Sequence, residues 1–143
     1  MWQLASRPGT RVDVLEAGLA CCALEVEAAV AQGLLVPLEG PELSDSRDHP
    51  AVLVVAGTVT TALQPAVARW HADRAADGPV RVLSFGACST SGGPYWDAPT
   101  VVNGIDVIGE VSSYVPGCPP RPEALVAELE RLVDDMVGQG REA

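Results

Sequence analysis

The sequence contains no lysine. All nine basic residues are arginine, set against 19 acidic ones, for a formal net charge of -10. A chain this acidic is repelled by nucleic-acid backbones and anionic lipid surfaces, so neither is expected as a direct partner. Aromatic residues make up only 4% of the chain, which leaves Val, Leu and Ala to fill a core. Histidine is scarce. His49 and His71 stand alone, without ligand spacing and without a cysteine or serine placed to use either as a base, and both are expected at the surface. No run approaches the roughly 18 continuous apolar residues that a membrane helix requires, so no direct membrane span is expected. The opening "MWQLASRPGTRVDVLEAGLA" lacks a basic start followed by an apolar stretch, and no signal peptide is expected. In the cytosol that this implies, four cysteines point to metal or redox work more than to disulfides.

What is present reads as one folded domain. The chain has 143 residues, 48% of them apolar, enough to bury about two-thirds of its unfolded surface. Residues 1–10 and 139–143 are expected to fray. "RVDVLEAG" reads as a strand, "CCALEVEAAVAQG" as a helix ending at Gly33, and "LLVPL" as a short strand cut by Pro37. "EGPELSDSRDHP" is a polar loop. "AVLVVAG" and "VRVLSFG" are continuous runs of the kind that form buried parallel strands. Between them "ALQPAVARWHADRAA" reads as a helix that Thr60 or Thr61 could cap. "ACSTSGGPYWDAPTVVNG" is a long Gly- and Ser-rich loop, and "IGEVSSYVPG" supplies a last strand. "RPEALVAELERLVDDMVGQG" is amphipathic, with Leu125, Leu129, Leu132 and Met136 on one face, Pro122 in the first turn and Gly138 or Gly140 at the end. Strands alternating with helices imply an α/β fold, a parallel sheet with helices on both faces.

The cysteines are Cys21, Cys22, Cys88 and Cys118, and each follows an expected strand. In an open parallel sheet, ligands gather beyond the carboxyl ends of the strands. Three loops can therefore bring four distant thiols to one rim. A disulfide within Cys21-Cys22 is unfavourable, because consecutive Cα atoms lie about 3.8 Å apart against the usual disulfide span of roughly 4.4–6.8 Å. Four thiolates suit either a tetrahedral zinc ion or a 4Fe–4S cluster. Zinc sites in small domains usually draw on C-x₂₋₄-C pairs. Adjacent cysteines better suit a wider cluster that presents separate irons to separate thiolates. A helix starting near Cys22 would aim its amide N–H groups at such an anionic group. Gly86, Gly92 and Gly93 around Cys88 allow close backbone approach. Gly117, Pro119 and Pro120 stiffen the turn at Cys118.

At these residues the sequence resembles a known family. "GLACCALEV", "VVAGTVT", "SFGACSTSGGPYWD" and "YVPGCPPRPEALV" are similar to the B subunit of NADH-quinone oxidoreductase, respiratory complex I, over about Gly18 to Leu132. The related small subunits of nickel-iron hydrogenases carry a C-x-x-C pair first, whereas this chain has Cys21-Cys22 without a spacer. The resemblance implies a flavodoxin-like sheet and one 4Fe–4S cluster on Cys21, Cys22, Cys88 and Cys118, which passes electrons to quinone. It implies partner subunits, including a larger one that forms the quinone site, and attachment through them to the cytoplasmic face of the cell membrane. NADH itself would react on another subunit. Two features depart from the family's habit. Val26 and Glu27 stand where methionines usually follow the cysteine pair, and only Arg47 is basic in a stretch usually rich in arginine. Two further readings accompany this one: the small subunit of a hydrogenase-like or formate-oxidising membrane complex, and a zinc-stabilised binding module without redox function. Among the neighbours, Glu25 reads as part of a network near the cysteines or as a solvated carboxylate, and Glu27 as exposed. Thr58 reads as a hydrogen-bond donor near the thiols or equally as part of a plain helix cap, and Tyr95 and Trp96 as a subunit interface or as cover packed over the cluster loop.

Overall fold

A computed structural model of the protein describes residues 1–17, 21–38 and 51–142. Six strands form one sheet: β1 (Trp2–Leu4), β2 (Arg7–Ala17), β3 (Leu35–Pro37), β4 (Ala51–Gly57), β5 (Val80–Phe85) and β6 (Ser113–Val115). Their spatial order is β3-β1-β2-β4-β5-β6. β2, β4, β5 and β6 run parallel, while β1 pairs antiparallel with both β2 and β3. This is the flavodoxin-like arrangement with one difference: β1 is inserted, antiparallel, between β2 and β3. β4 lies at the centre of the parallel part, and all seven of its residues are buried. That explains its unbroken apolar sequence, since both faces are covered.

Helices α1 (Cys21–Ala31) and α4 (Pro122–Glu142) cover one face. They enclose Val12, Val52, Val54, Leu83, Phe85 and Val115 together with the stripe Leu125, Leu129, Leu132 and Met136 of α4. α1 contributes Cys22, Val26 and Ala29, which fall on one side at helical spacing. α2 (Gln64–Asp77) covers the other face more thinly. Val67 is its one fully buried residue, joined by Val55, Val59, Val82, Val102 and Ile105. His71 is half-buried on this helix, and its ring packs against the Gly109 backbone. Pro65 sits in the first turn of α2, whose N-cap is Leu63 without a side-chain cap, so neither Thr60 nor Thr61 caps it; Thr60 Oγ1 instead accepts the Leu63 N–H at 3.2 Å in the turn that leads into the helix.

Both chain ends are corrections. Residues 1–10 do not fray, because β1 and the start of β2 are laddered into the sheet, and Arg7 is clamped to Asp134 of α4 at 2.8 Å. At the other end α4 runs through Gly138 and Gly140 to Glu142. Arg81 donates to Gln139 Oε1 at 2.6 Å and ties that last stretch to β5. The Gly-rich loop after β5 also contains structure that was not anticipated: a five-residue helix α3 (Ala87–Ser91) and two 3-10 turns, Gly93–Tyr95 and Ile105–Val107. The polar stretch 39–50, with Arg47 and His49, lies outside the described residues.

Two charged clusters brace the sheet. Arg11 donates to Asp13 Oδ1 at 3.0 Å, and Arg74 of α2 brings its Nε to 3.1 Å from Asp13 Oδ2, an ion contact without hydrogen-bond alignment. Leaving either arginine without Asp13 would strand a half-buried charge. At the far edge, Ser113 of β6 donates to Glu128 of α4. Arg131, first, and then the Ser113 hydroxyl hold the Glu128 carboxyl below its usual range against the opposing effect of burial. A carboxylate whose folded pKa is depressed stabilises the fold above the ordinary carboxylate pKa and loses that contribution as acid carries the pH through the folded value. The stability deficit of Glu128→Gln relative to the unaltered chain should therefore shrink between about pH 6 and about pH 3, as read by urea denaturation.

Candidate metal centre

β2, β5 and β6 each end in a segment that carries cysteine, and all three ends lie on the same rim because the strands are parallel. Cys21 and Cys22 open α1. One residue turns an α-helix by about 100°, so the adjacent side chains diverge. Cys21 is exposed, while Cys22 is 2% exposed and joins the core stripe. Cys88 is buried in α3, directly beyond β5. Cys118 is exposed beyond β6, with a cis peptide to Pro119 and with Pro120 buried behind it.

The exits of β5 and β6 are joined past the strands themselves. Gly86 N–H donates to Val115 O at 2.9 Å, and Ala87 N–H donates to Gly117 O at 2.8 Å. Gly86 has φ +97°, and a Cβ there would meet Cys22 Sγ at 2.5 Å. Gly93, φ +55°, would place a Cβ 3.2 Å from Cys88 Sγ. Gly117, φ +146°, would drive one to 2.7 Å from the Pro120 backbone. Backbone without side chains thus lies directly against two of the sulfurs, and a third glycine makes the turn that carries Cys118.

The four thiols are electrostatically coupled through Cys22. Burial pushes its pKa up to about 12, reinforced in turn by Cys21 and Cys88, by a hydrogen bond to Cys21 and by Cys118. A thiolate at Cys22 is unfavourable here without a compensating cation. The donor set therefore suits a cationic centre that takes several thiolates at once, and a coordinating metal deprotonates thiols outright. Among the described residues, no group of three or more His, Cys, Asp or Glu stands close enough together to hold a metal ion. All four thiols are free of disulfides.

Sequence reasoning missed the hydroxyls behind Cys88. Ser84 and Ser89 are buried polar residues, and Ser84 Oγ lies 2.8 Å from Ser89 Oγ and 2.9 Å from Thr90 Oγ1. The only available signal was a serine in the buried half of "VRVLSF", where apolar residues flank it. Of the residues singled out beforehand, Glu25 is half-buried and Glu27 exposed. Val26 packs in the core at 1% exposure and so does not line the rim. Tyr95 and Trp96 are exposed at 55% and 65%, beside the Cys88 segment, and Leu24, at 70%, projects from the turn of α1 that carries Cys21.

Comparison with known proteins gives this arrangement a context. The profile described as NADH ubiquinone oxidoreductase, 20 Kd subunit, matches residues 16–132 and takes in all four cysteines. The chain belongs to that family. Within it, the chain is 44% identical over 126 residues to the NADH-quinone oxidoreductase B 2 subunit of Streptomyces griseus, covering 83% of this chain and 50% of that protein. It is 41% identical to the B 1 subunit of Salinispora tropica, over 88% of this chain and 66% of that one. It is 42% identical to the B subunit of Carboxydothermus hydrogenoformans, over 89% and 78%. The chain thus spans about half to three-quarters of the length of these relatives. Two solved structures share the fold. A chain of the membrane-bound sulfane sulfur reductase, an archaeal respiratory membrane complex, superposes with TM-score 0.62 at 24% identity, over 90% of this chain and 71% of that one. A chain of an NAD+-reducing [NiFe]-hydrogenase superposes with TM-score 0.51 at 18% identity, over 88% and 90%.

Proposed function

We propose that this chain is an electron-transfer subunit of an NADH-quinone oxidoreductase, with Cys21, Cys22, Cys88 and Cys118 holding one 4Fe–4S cluster that serves quinone at the interface with a larger subunit. The observation that carries the reading is the delivery of four thiols to one rim by three parallel strands, with Cys22 in the field of the other three. When bound, a 4Fe–4S cluster supplies one-electron transfer at a potential set by its surroundings.

The chain's own residues have separate tasks in this proposal. Cys22 and Cys88 offer buried sulfurs, and Cys21 and Cys118 offer outer ones. Gly86 and Gly93 keep Cβ atoms out of the space beside the inner pair. The first turn of α1 turns its unpaired N–H groups and positive dipole end toward the rim, which favours an anionic centre. The stiff Gly117–Pro120 turn holds the last thiol at a constant place while charge changes, and β2, β4 and β5 shut water out from below. Leu24, Tyr95 and Trp96 leave apolar surface around the thiols for a partner subunit to cover. Among the described residues no helix is long and apolar enough to cross a membrane, so attachment at the cytoplasmic face would run through partner subunits.

A single zinc ion fits less well. It would draw all its sulfurs to about 2.3 Å from one point, whereas Cys21 stands exposed and Cys22 is buried in the core stripe of α1. The test is an iron and acid-labile sulfide assay on the chain purified without oxygen. The expected result is a brown protein carrying about four irons, one for each thiolate, with broad absorption near 400 nm. A colourless protein carrying one zinc and no iron would overturn the proposal.

A further inference from the structure

We propose that the hydroxyl trio of buried Ser84 and Ser89 with half-buried Thr90 is the device that positions Cys88, a role that rests on the iron–sulfur reading above. α3 has only five residues, and a helix so short has little stability of its own. Its first turn is held by side chains instead. Ser89 Oγ donates toward Phe85 O at 3.1 Å and Gly86 O at 3.3 Å, and Thr90 Oγ1 donates to Gly86 O at 2.8 Å. Both hydroxyls also meet Ser84 Oγ, at 2.8 and 2.9 Å.

Ser84 belongs to the sheet. It sits in register with Val55 of β4 and Tyr114 of β6 and has no exposed surface. An unpaired hydroxyl at the centre of a parallel sheet would be costly, whereas a paired one fixes its partners firmly. The contacts therefore run from the most rigid part of the fold, through three hydroxyls, to the two residues that follow Cys88. Gly86, whose carbonyl the trio holds, is also the residue pressed against Cys22 Sγ. Fixing this carbonyl sets where Cys88 stands relative to Cys22. The trio touches neither sulfur and acts only through the backbone.

Three hydroxyls supply three protons for five contacts, two within the trio and three to the carbonyls of Phe85 and Gly86, so the protons are shared among them. Loss of any member leaves a neighbour short of a partner. Thr90 offers the cleanest test because it is only half-buried. Thr90→Val keeps its shape without the hydroxyl, and Thr90→Ser keeps the hydroxyl without the methyl. Ser84→Ala removes the hub itself. The decisive measurement is the iodoacetamide labelling rate of Cys88 relative to Cys22 in the cluster-free full chain, mapped by mass spectrometry and compared with global stability in urea. Thr90→Val and Ser84→Ala should raise Cys88 labelling about tenfold over Cys22, the factor that ~1.4 kcal/mol of local opening carries. Thr90→Ser should match the unaltered chain. In the iron-loaded chain, the first two variants should shift the g-values of the reduced-state EPR signal, and the serine should not.

Equal increases at Cys22 and Cys88, tracking a loss of global stability, would reduce the trio to ordinary packing and overturn the proposal. So would identical EPR spectra in Thr90→Val, Thr90→Ser and the unaltered chain. If the unaltered chain takes up no iron, the iron–sulfur reading itself fails, and the labelling ratio still decides whether the trio positions Cys88.

Discussion

Replacing Cys118 with serine should abolish stable iron retention while leaving the sheet folded. The expectation follows from where the residue sits. Cys118 is exposed, and its side chain adds nothing to the core. The turn that carries it is held by neighbouring backbone, through the Gly117 carbonyl and buried Pro120, and both remain in the variant. Serine fits the space but is a hard, weakly acidic ligand where iron–sulfur chemistry calls for soft thiolate. Loss of an outer partner typically lowers metal affinity about 10–100-fold, and loss of a direct ligand should cost more. After anaerobic reconstitution and desalting, the variant should therefore keep only a small part of the iron and sulfide of the unaltered chain, with much of the 400 nm absorption gone. Circular dichroism should be unchanged, and Tm in the cluster-free state should move by no more than a degree or two. Full iron content with an unaltered EPR signal would remove Cys118 from the ligand set.

The second large effect is expected at a residue with no side chain. Gly86→Ala meets two obstacles at once. At φ +97° and ψ 166°, a region essentially confined to glycine, an L-residue is strained by about 1 kcal/mol or more. The new methyl would also lie 2.5 Å from Cys22 Sγ, where something must move. The backbone cannot yield easily, because the N–H groups of Gly86 and Ala87 are both bonded across to the β6 exit. The displaced atom should therefore be the Cys22 sulfur, which is itself packed in the core stripe of α1. Overpacking of this kind costs about 1–3 kcal/mol in addition. The cluster-free variant should lose about 2–5 kcal/mol in urea denaturation, or roughly 10 °C in Tm for a chain of this size. If Cys22 is one of the proposed ligands, iron retention should fall with it, because its sulfur is the displaced atom. Wild-type stability together with full iron uptake would show that Gly86 is not the spacer its position suggests.

The parts of this fold that were legible in the sequence are those whose burial is complete or strictly periodic. "AVLVVAG" could be read because both faces of β4 are covered, and α4 because Leu125, Leu129, Leu132 and Met136 repeat at helical spacing. The cysteines could be placed at one rim because each follows a strand of the parallel sheet, although β6 is only Ser113–Val115 where "IGEVSSYVPG" was expected to supply a longer one. The N-terminal hairpin was illegible for the opposite reason. β1 has three residues, and what makes it a strand is pairing with β3, more than thirty positions away in sequence, rather than any pattern in "WQL". α3 was hidden by its own composition. Ser, Thr and Gly normally signal a loop, because their side chains compete for backbone partners. Here that same competition is what closes the helical turn on the Gly86 carbonyl. α4 outlasts its two glycines because Gln139 is anchored to Arg81, a tertiary contact that helix propensity does not report.

The spread of the thiols along the chain also sets a timetable for biosynthesis. Cys21 and Cys118 are separated by about 100 positions, which a ribosome covers in about 5–20 s. For that interval the vicinal pair is waiting for a strand that has yet to be made. Any centre that needs all four sulfurs can be loaded only after β6 has docked at the sheet edge and Cys118 has been made, and the earliest thiols must be kept reduced until then.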